Sequence, residues 1–309
     1  MNVARALPLL LLALLILPSC GDEDPAGPPD GQFTVTFDGL PALGHGRYYE
    51  AWLTYPGEDL RHEERLSLGQ FVMNGDGTSS SLDGGPAAFA LDDTHHLADA
   101  VDILVTVESE GSTVAGPALI AGVVTGDENE GRATLTTLHP VAVGADLTTA
   151  SGSFILATPT DGEGANETHG LWFTDPAGAP ALNLPALASG WTYHAHAFHG
   201  GHSLSLGTFT VSDAVDSDGA GAEAGAQAAF TAPGSDFIVS EHDLADGATT
   251  AFLVIEPSGD HHEESLRHDS SFPVRVLEAA IPSGAAARTS IPLAAPVSEL
   301  PSAEFVFTR

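Results

Sequence analysis

The chain contains no lysine. Without an ε-amino group there is no Schiff-base chemistry and no phosphate-binding lysine in a glycine-rich loop. A single cysteine, Cys20, rules out any intramolecular disulfide. Helical periodicity is scarce. Beyond residue 17, Gly, Pro, Asp or Glu interrupts every apolar run before it reaches the ~20 residues of a membrane helix. Positive charge is just as sparse, with nine arginines against 42 acidic residues and a net charge of −33. Such a surface repels nucleic acid and anionic lipid and attracts cations. Salt screens its self-repulsion, so the composition suits a saline exterior. Gly-x-Ser-x-Gly is also missing, and no local nucleophile motif appears. On sequence alone the protein reads as non-catalytic, with no nucleic-acid partner.

What is present begins with MNVARALPLLLLALLILPSC. Arg5 precedes an apolar run from Leu7 to Leu17, and about 11 residues suit a signal-peptide core rather than a membrane span. LPSC resembles the lipobox of bacterial lipoproteins, in which the chain is cut before the cysteine and its sulfur takes a diacylglycerol. Residues 1–19 are therefore expected to be a lipoprotein signal peptide and Cys20 the lipidated residue. Two acyl chains suffice for a stable membrane anchor. GDEDPAGPPDG, ending at Gly31, is polar and rich in Pro and Gly, and residues 20–31 read as a flexible tether. The expected location is outside the cytoplasm, on a bacterial membrane.

The remainder alternates short β-type runs with turn signals. QFTVTF, YYEAWLTY, DILVTVE, GSFILATP, GLWFT, LGTFTV, AFLVIE and EFVFT are rich in β-branched and aromatic residues. The pattern predicts an all-β protein built of two tandem, immunoglobulin-like β-sandwich modules, over residues 32–145 and 146–309. An internal repeat supports the pairing. GLPALGHGRYYEAWLTY from Gly39 parallels NLPALASGWTYHAHAFHG from Asn183, bringing Tyr49 and Tyr193 into register. Each copy continues to a Leu-Gly-x-Phe strand, at Leu68–Phe71 and Leu206–Phe209, and then to an apolar strand ending at Glu108 or Glu256. Strand alternation sets Tyr49, Ala51 and Leu53 on one face, with Glu50 and Trp52 on the other. In the second copy, His194 and His196 take the places of Glu50 and Trp52. Glu108 and Glu256 read as paired structural residues.

YEAWL, LGQF and VTVE followed by AGPALIAG are similar to the extracytoplasmic C-terminal domain of anti-sigma-K factors. Residues 33–124 carry these motifs in order, and residues 170–280 look like a divergent second copy. The resemblance implies an outer β-sandwich module with a binding or scaffolding role towards an envelope protein or ligand. The family's cytoplasmic helical arm and membrane-spanning helix are not matched, so no sigma factor is expected as a direct partner. The second copy also lacks the Trp of the Tyr-Glu-x-Trp strand.

Three groups of residues could carry chemistry. His194, His196, His199 and His202 fall within nine residues, and His194 and His196 share a strand face with Cβ atoms about 7 Å apart. With a further ligand such imidazoles hold zinc or copper, which makes an envelope metal-binding protein the alternative reading. Other histidines (His95, His96, His261, His262, His268) point to a composition habit as much as to a site. HHEESLRH is no zinc-protease motif, since Leu266 stands four residues after His262. Asp216 and Asp218 lie in a Gly-rich acidic turn that could take calcium. An EF-hand loop fails there, because Ala220 and Gln227 occupy ligand positions.

Overall fold

The computed structural model describes residues 31–44, 46–57, 64–91, 95–162, 164, 166–240, 242–259, 272–296 and 300–309. The expected signal peptide, Cys20 and the tether as far as residue 30 lie outside the described residues, as do His261, His262 and His268. Nineteen strands and two short 3-10 turns make up the regular structure of the described residues, with no α-helix among them. The protein is all-β, and each of the eight runs named above supplies a strand.

In chain order the first ten strands are β1 (Gly31–Asp38), β2 (Arg47–Tyr55), β3 (Glu64–Met73), β4 (Ser79–Ser80), β5 (Phe89–Leu91), β6 (Asp102–Ser109), β7 (Ala118–Val123), β8 (Thr125–Gly126), β9 (Glu130–Thr136) and β10 (Ser151–Leu156). The others are β11 (Gly170–Trp172), β12 (Leu182–Asn183), β13 (Trp191–His199), β14 (His202–Phe209), β15 (Gly234–Asp236), β16 (Thr250–Pro257), β17 (Arg275–Ala280), β18 (Ile291–Pro292) and β19 (Ser302–Thr308).

The largest sheet runs β4-β3-β2-β6-β7-β9-β19-β1-β5, with β8 beside β9. It curls on itself so far that β5 comes against β3. Alternating aromatics fill the curl. Phe33 of β1 meets Phe307 of β19 with ring centroids 5.0 Å apart, and Phe37 stacks on Phe71 at 4.8 Å. Phe71 in turn stacks on Tyr49 at 5.4 Å.

The last strand corrects the expected division at residue 146. β19 pairs along its whole length with β9 on one side and β1 on the other, so it sits inside the first unit's sheet. The reason is apolar complementarity: Phe305 and Phe307 are fully buried and complete the aromatic interior. The boundary at residue 31 also moves, because Gly31 already pairs with Leu91 in β1.

A second four-stranded sheet, β14-β13-β16-β17, repeats the β3-β2-β6-β7 part of the first. Tyr193 faces Phe209, His194 faces Thr208 and, after a bulge, His196 faces Ser205. Tyr49 faces Phe71, Glu50 faces Gln70 and, after the same bulge, Trp52 faces Ser67. A further bulge recurs between Val105 and Thr106 and between Leu253 and Val254. Those two positions correspond, since Val105 opposes Ala51 and Leu253 opposes Ala195. Each tyrosine hydroxyl donates to a carbonyl eight residues upstream, Tyr49 to Pro41 at 2.9 Å and Tyr193 to Pro185 at 2.7 Å.

A third, five-stranded sheet, β12-β10-β11-β15 with β18 also on β10, takes its strands from between the units, from the β14–β16 connection and from the segment after β17. The units are joined directly as well: Trp191 Nε1 donates to Ala118 O at 3.0 Å, and Ala188 N donates to Val143 O at 2.9 Å. One continuous apolar core runs through all three sheets.

Candidate functional site

The two equivalent outer faces differ in chemistry. On the first, Ser67 Oγ donates to Glu50 Oε1 at 2.6 Å and Gln70 Nε2 donates to Glu50 Oε2 at 3.0 Å. Glu108 accepts from Thr106 Oγ1 at 2.5 Å and from Gly116 N at 2.9 Å. Trp52 Nε1 donates to Thr106 Oγ1 at 2.9 Å. Glu50, Glu108, Trp52 and Thr106 are held by these bonds to one another and to their neighbours, which suits a structural surface.

On the second face, β13 lies between β14 and β16, so a side chain of β13 can reach residues on both neighbours. His194 does so. Its Nε2 is 2.8 Å from Ser205 Oγ on β14, and its Nδ1 is 3.0 Å from Glu256 Oε2 on β16. A carboxylate only accepts, which puts the imidazole proton on Nδ1 and leaves Nε2 to accept from the Ser205 hydroxyl. Gly207 N donates to Ser205 Oγ at 3.2 Å. Ser205 is exposed, whereas the His194 and Glu256 side chains are only 15% and 13% exposed.

His196 lies beside this chain, its ring 3.9 Å from that of His194 and stacked 5.1 Å from Phe252. It is buried, and its Nδ1 is 3.1 Å from Ser203 Oγ while its Nε2 has no hydrogen-bond partner. Burial, with help from neighbouring His194 and Arg275, holds its pKa well below the usual histidine value. Arg275 covers the far side, 4.2 Å over the Phe252 ring, and its Nη1 donates to Glu278 at 2.7 Å.

The four histidines of the sequence cluster do not converge, and strand geometry explains why. His194 and His196 share a face, but His199 is three residues on from His196 and points the opposite way. Gly200 and Gly201, at φ 59° and 84°, form the tight turn that sets His202 directly opposite His199. His199 Nδ1 lies 2.8 Å from Thr249 Oγ1 and 3.5 Å from Asp246 Oδ2. The His199 ring is 5.0 Å from that of His242, a histidine that the sequence pattern did not single out. Among the described residues, no three His, Cys, Asp or Glu side chains come close enough together to hold a metal ion.

Asp216 and Asp218 do come together, against Gly207 at the edge of β14. Asp216 Oδ1 accepts from Asp218 N at 3.2 Å and Oδ2 from Gly234 N at 2.8 Å. Burial, and then side-chain hydrogen bonding with the neighbouring Asp218 carboxylate, push the Asp216 carboxyl up to about 8. Asp216 also lines an open hollow of about 330 Å³ with Thr192, Thr208, Thr210, Val211 and Val215.

No local motif marks Ser205 in the sequence, and Glu256 reads there only as a structural residue. The signal lay in the repeat, which put His194 at the position of Glu50 and Glu256 at that of Glu108. Its meaning depended on β14 and β16 flanking β13, and β16 is more than fifty residues away along the chain. No family model, no curated protein and no solved structure matches this chain.

Proposed function

We propose that the chain is an exported envelope lipoprotein, anchored through Cys20, whose two related β-units bind or scaffold an envelope partner or ligand in the manner of anti-sigma-K outer domains. No sigma factor is a direct partner in this reading. The observation that carries it is the duplicated four-stranded unit with one register, one set of bulges and two different outer faces. A structural duplication kept in its backbone but altered on its surface is suited to recognising something on that surface. The test is expression of the full chain in a bacterium fed radiolabelled palmitate. Label on the wild type, lost together with membrane association in Cys20→Ala, supports the anchor; an unlabelled wild type overturns it. A photo-crosslinking residue in place of half-exposed Phe198, on the second face, should then trap one discrete partner, and no adduct counts against a binding role.

Zinc or copper capture is the second reading, favoured by the close approach of His199 and His242. It moves the site from the His194 side of the hairpin to the other face. Calorimetry separates the two: His199→Ala with His242→Ala abolishes the heat of binding, and His194→Ala with His196→Ala leaves it unchanged.

A further inference from the structure

The second outer face holds a hydrogen-bonded chain that the first lacks. In the first unit, Ser67 is bonded straight to the Glu50 carboxylate, with no imidazole between that serine and Glu108. Replacing Glu50 by His194 at the equivalent position changes the logic. An imidazole now links a serine on one neighbouring strand to a carboxylate on the other, at 2.8 and 3.0 Å. Those are the distances that nucleophilic catalysis by serine requires: a base within reach of the hydroxyl proton, and a third group fixing the base's tautomer. Exposure is graded in the useful direction too, with the serine open to solvent and its two supporting residues shielded.

We propose that Ser205, His194 and Glu256 form a catalytic triad that hydrolyses small carboxylic esters, neutral or cationic, through an acyl-serine intermediate. In the first step His194 Nε2 takes the Ser205 hydroxyl proton as Oγ bonds to the ester carbonyl carbon. Glu256 stabilises the imidazolium through the Nδ1 proton. The bond from the carbonyl carbon to the alkoxy oxygen then breaks, and the proton on Nε2 passes to the leaving oxygen, releasing an alcohol. Water completes the cycle. Its proton goes to Nε2, its oxygen bonds to the acyl carbon, and the carbon–Oγ bond breaks as the proton returns to Ser205. The Gly207 N–H donates to Ser205 Oγ at 3.2 Å, which holds the nucleophile in place and stabilises the negative charge it takes on as its proton leaves.

The substrate class follows from the surroundings. Thr208 stands opposite His194 and Thr192 lies two residues before it on the same face, and both line the hollow of about 330 Å³, whose wall reaches the strand neighbours of His194 and not the triad side chains themselves. Its threonine and valine lining accommodates a short acyl or alkyl group. The acidic surface, with a net charge of −33, disfavours anionic esters.

The test uses the full chain with diisopropyl fluorophosphate as a covalent probe and two isosteric esters, 4-nitrophenyl acetate and the anionic 4-acetoxybenzoate. Peptide mass spectrometry should place the phosphoryl adduct on Ser205 and leave Ser67, the equivalent serine without an imidazole, unmodified. Turnover of 4-nitrophenyl acetate should fall about 100-fold or more in Ser205→Ala and in His194→Gln. The probe experiment needs no variant, so a folding defect cannot mask the answer. An unmodified Ser205 overturns the triad. So does Ser205→Ala turning over the ester as fast as wild type, the result expected if the chain's histidines act merely as dissolved imidazole. Equal turnover of the two esters overturns the substrate class.

Discussion

At the scale of single residues, burial decides which side chains are charged. The Asp216 carboxyl is raised to about 8 from an ordinary 3.8, so the fold favours its protonated form. Its stabilising contribution is complete below pH 3.8 and is lost as the pH rises through about 8. His196 acts in the opposite sense. Its pKa lies well below 6.5, so the fold favours the neutral ring, and its contribution is complete above pH 6.5 and lost as the pH falls. Subtracting an Asp216→Asn variant from wild type in urea unfolding isolates the first effect. The difference should move against wild type steadily between pH 4 and pH 8, and a flat difference would show that Asp216 is ionised throughout. The two tyrosine hydroxyls give a matched pair at this scale. Tyr49→Phe and Tyr193→Phe each remove one bond to a proline carbonyl, and each should cost about 1 kcal/mol in the same experiment. Similar losses are expected because the two bonds occupy equivalent places in the repeat.

At the scale of elements, the bulge on β14 does more than interrupt a ladder. It adds one residue between those facing His194 and His196, which brings Ser205 opposite His196 and within reach of the His194 ring. Gly207 makes the bulge possible. Its φ is +84°, and a Cβ there would lie 2.4 Å from Asp216 Cγ and 2.6 Å from Asp218 Oδ1. Gly207→Ala should therefore cost roughly 1–2 kcal/mol in backbone strain alone, before any displacement of the two aspartates. Thermal unfolding checks this, with Gly77→Ala as the comparison: it also has a positive φ, of 83°, but nothing within 4 Å of an added Cβ. If the two variants melt together, the close approach carries no energy.

At the scale of the whole molecule, chain order and spatial order part company. β19 comes last in the chain but lies between β9 and β1, with Phe305 and Phe307 fully buried. A chain ending at residue 300 leaves two strand edges unpaired and opens the aromatic interior, so the first unit should lose its fold. Residues 32–145 alone should likewise be unfolded by circular dichroism. Adding a synthetic peptide of residues 300–309 should restore β-structure to the truncated chain. A truncated chain with the melting transition of the full protein would show that the first sheet closes without its last strand.

The sequence by itself determined the all-β class, the position of eight strands and the duplication, because these rest on local alternation and on patterns repeated along the chain. It also determined that His194 and His196 share a face, which follows from the two-residue period of a strand. Only the tertiary structure decided that β19 belongs to the first sheet and that His194 meets Ser205 and Glu256. Each of these depends on which strands become neighbours. That is settled by burial of apolar surface between residues far apart in the chain, such as Phe33 with Phe307 or Tyr193 with Ile255, and no local pattern encodes it.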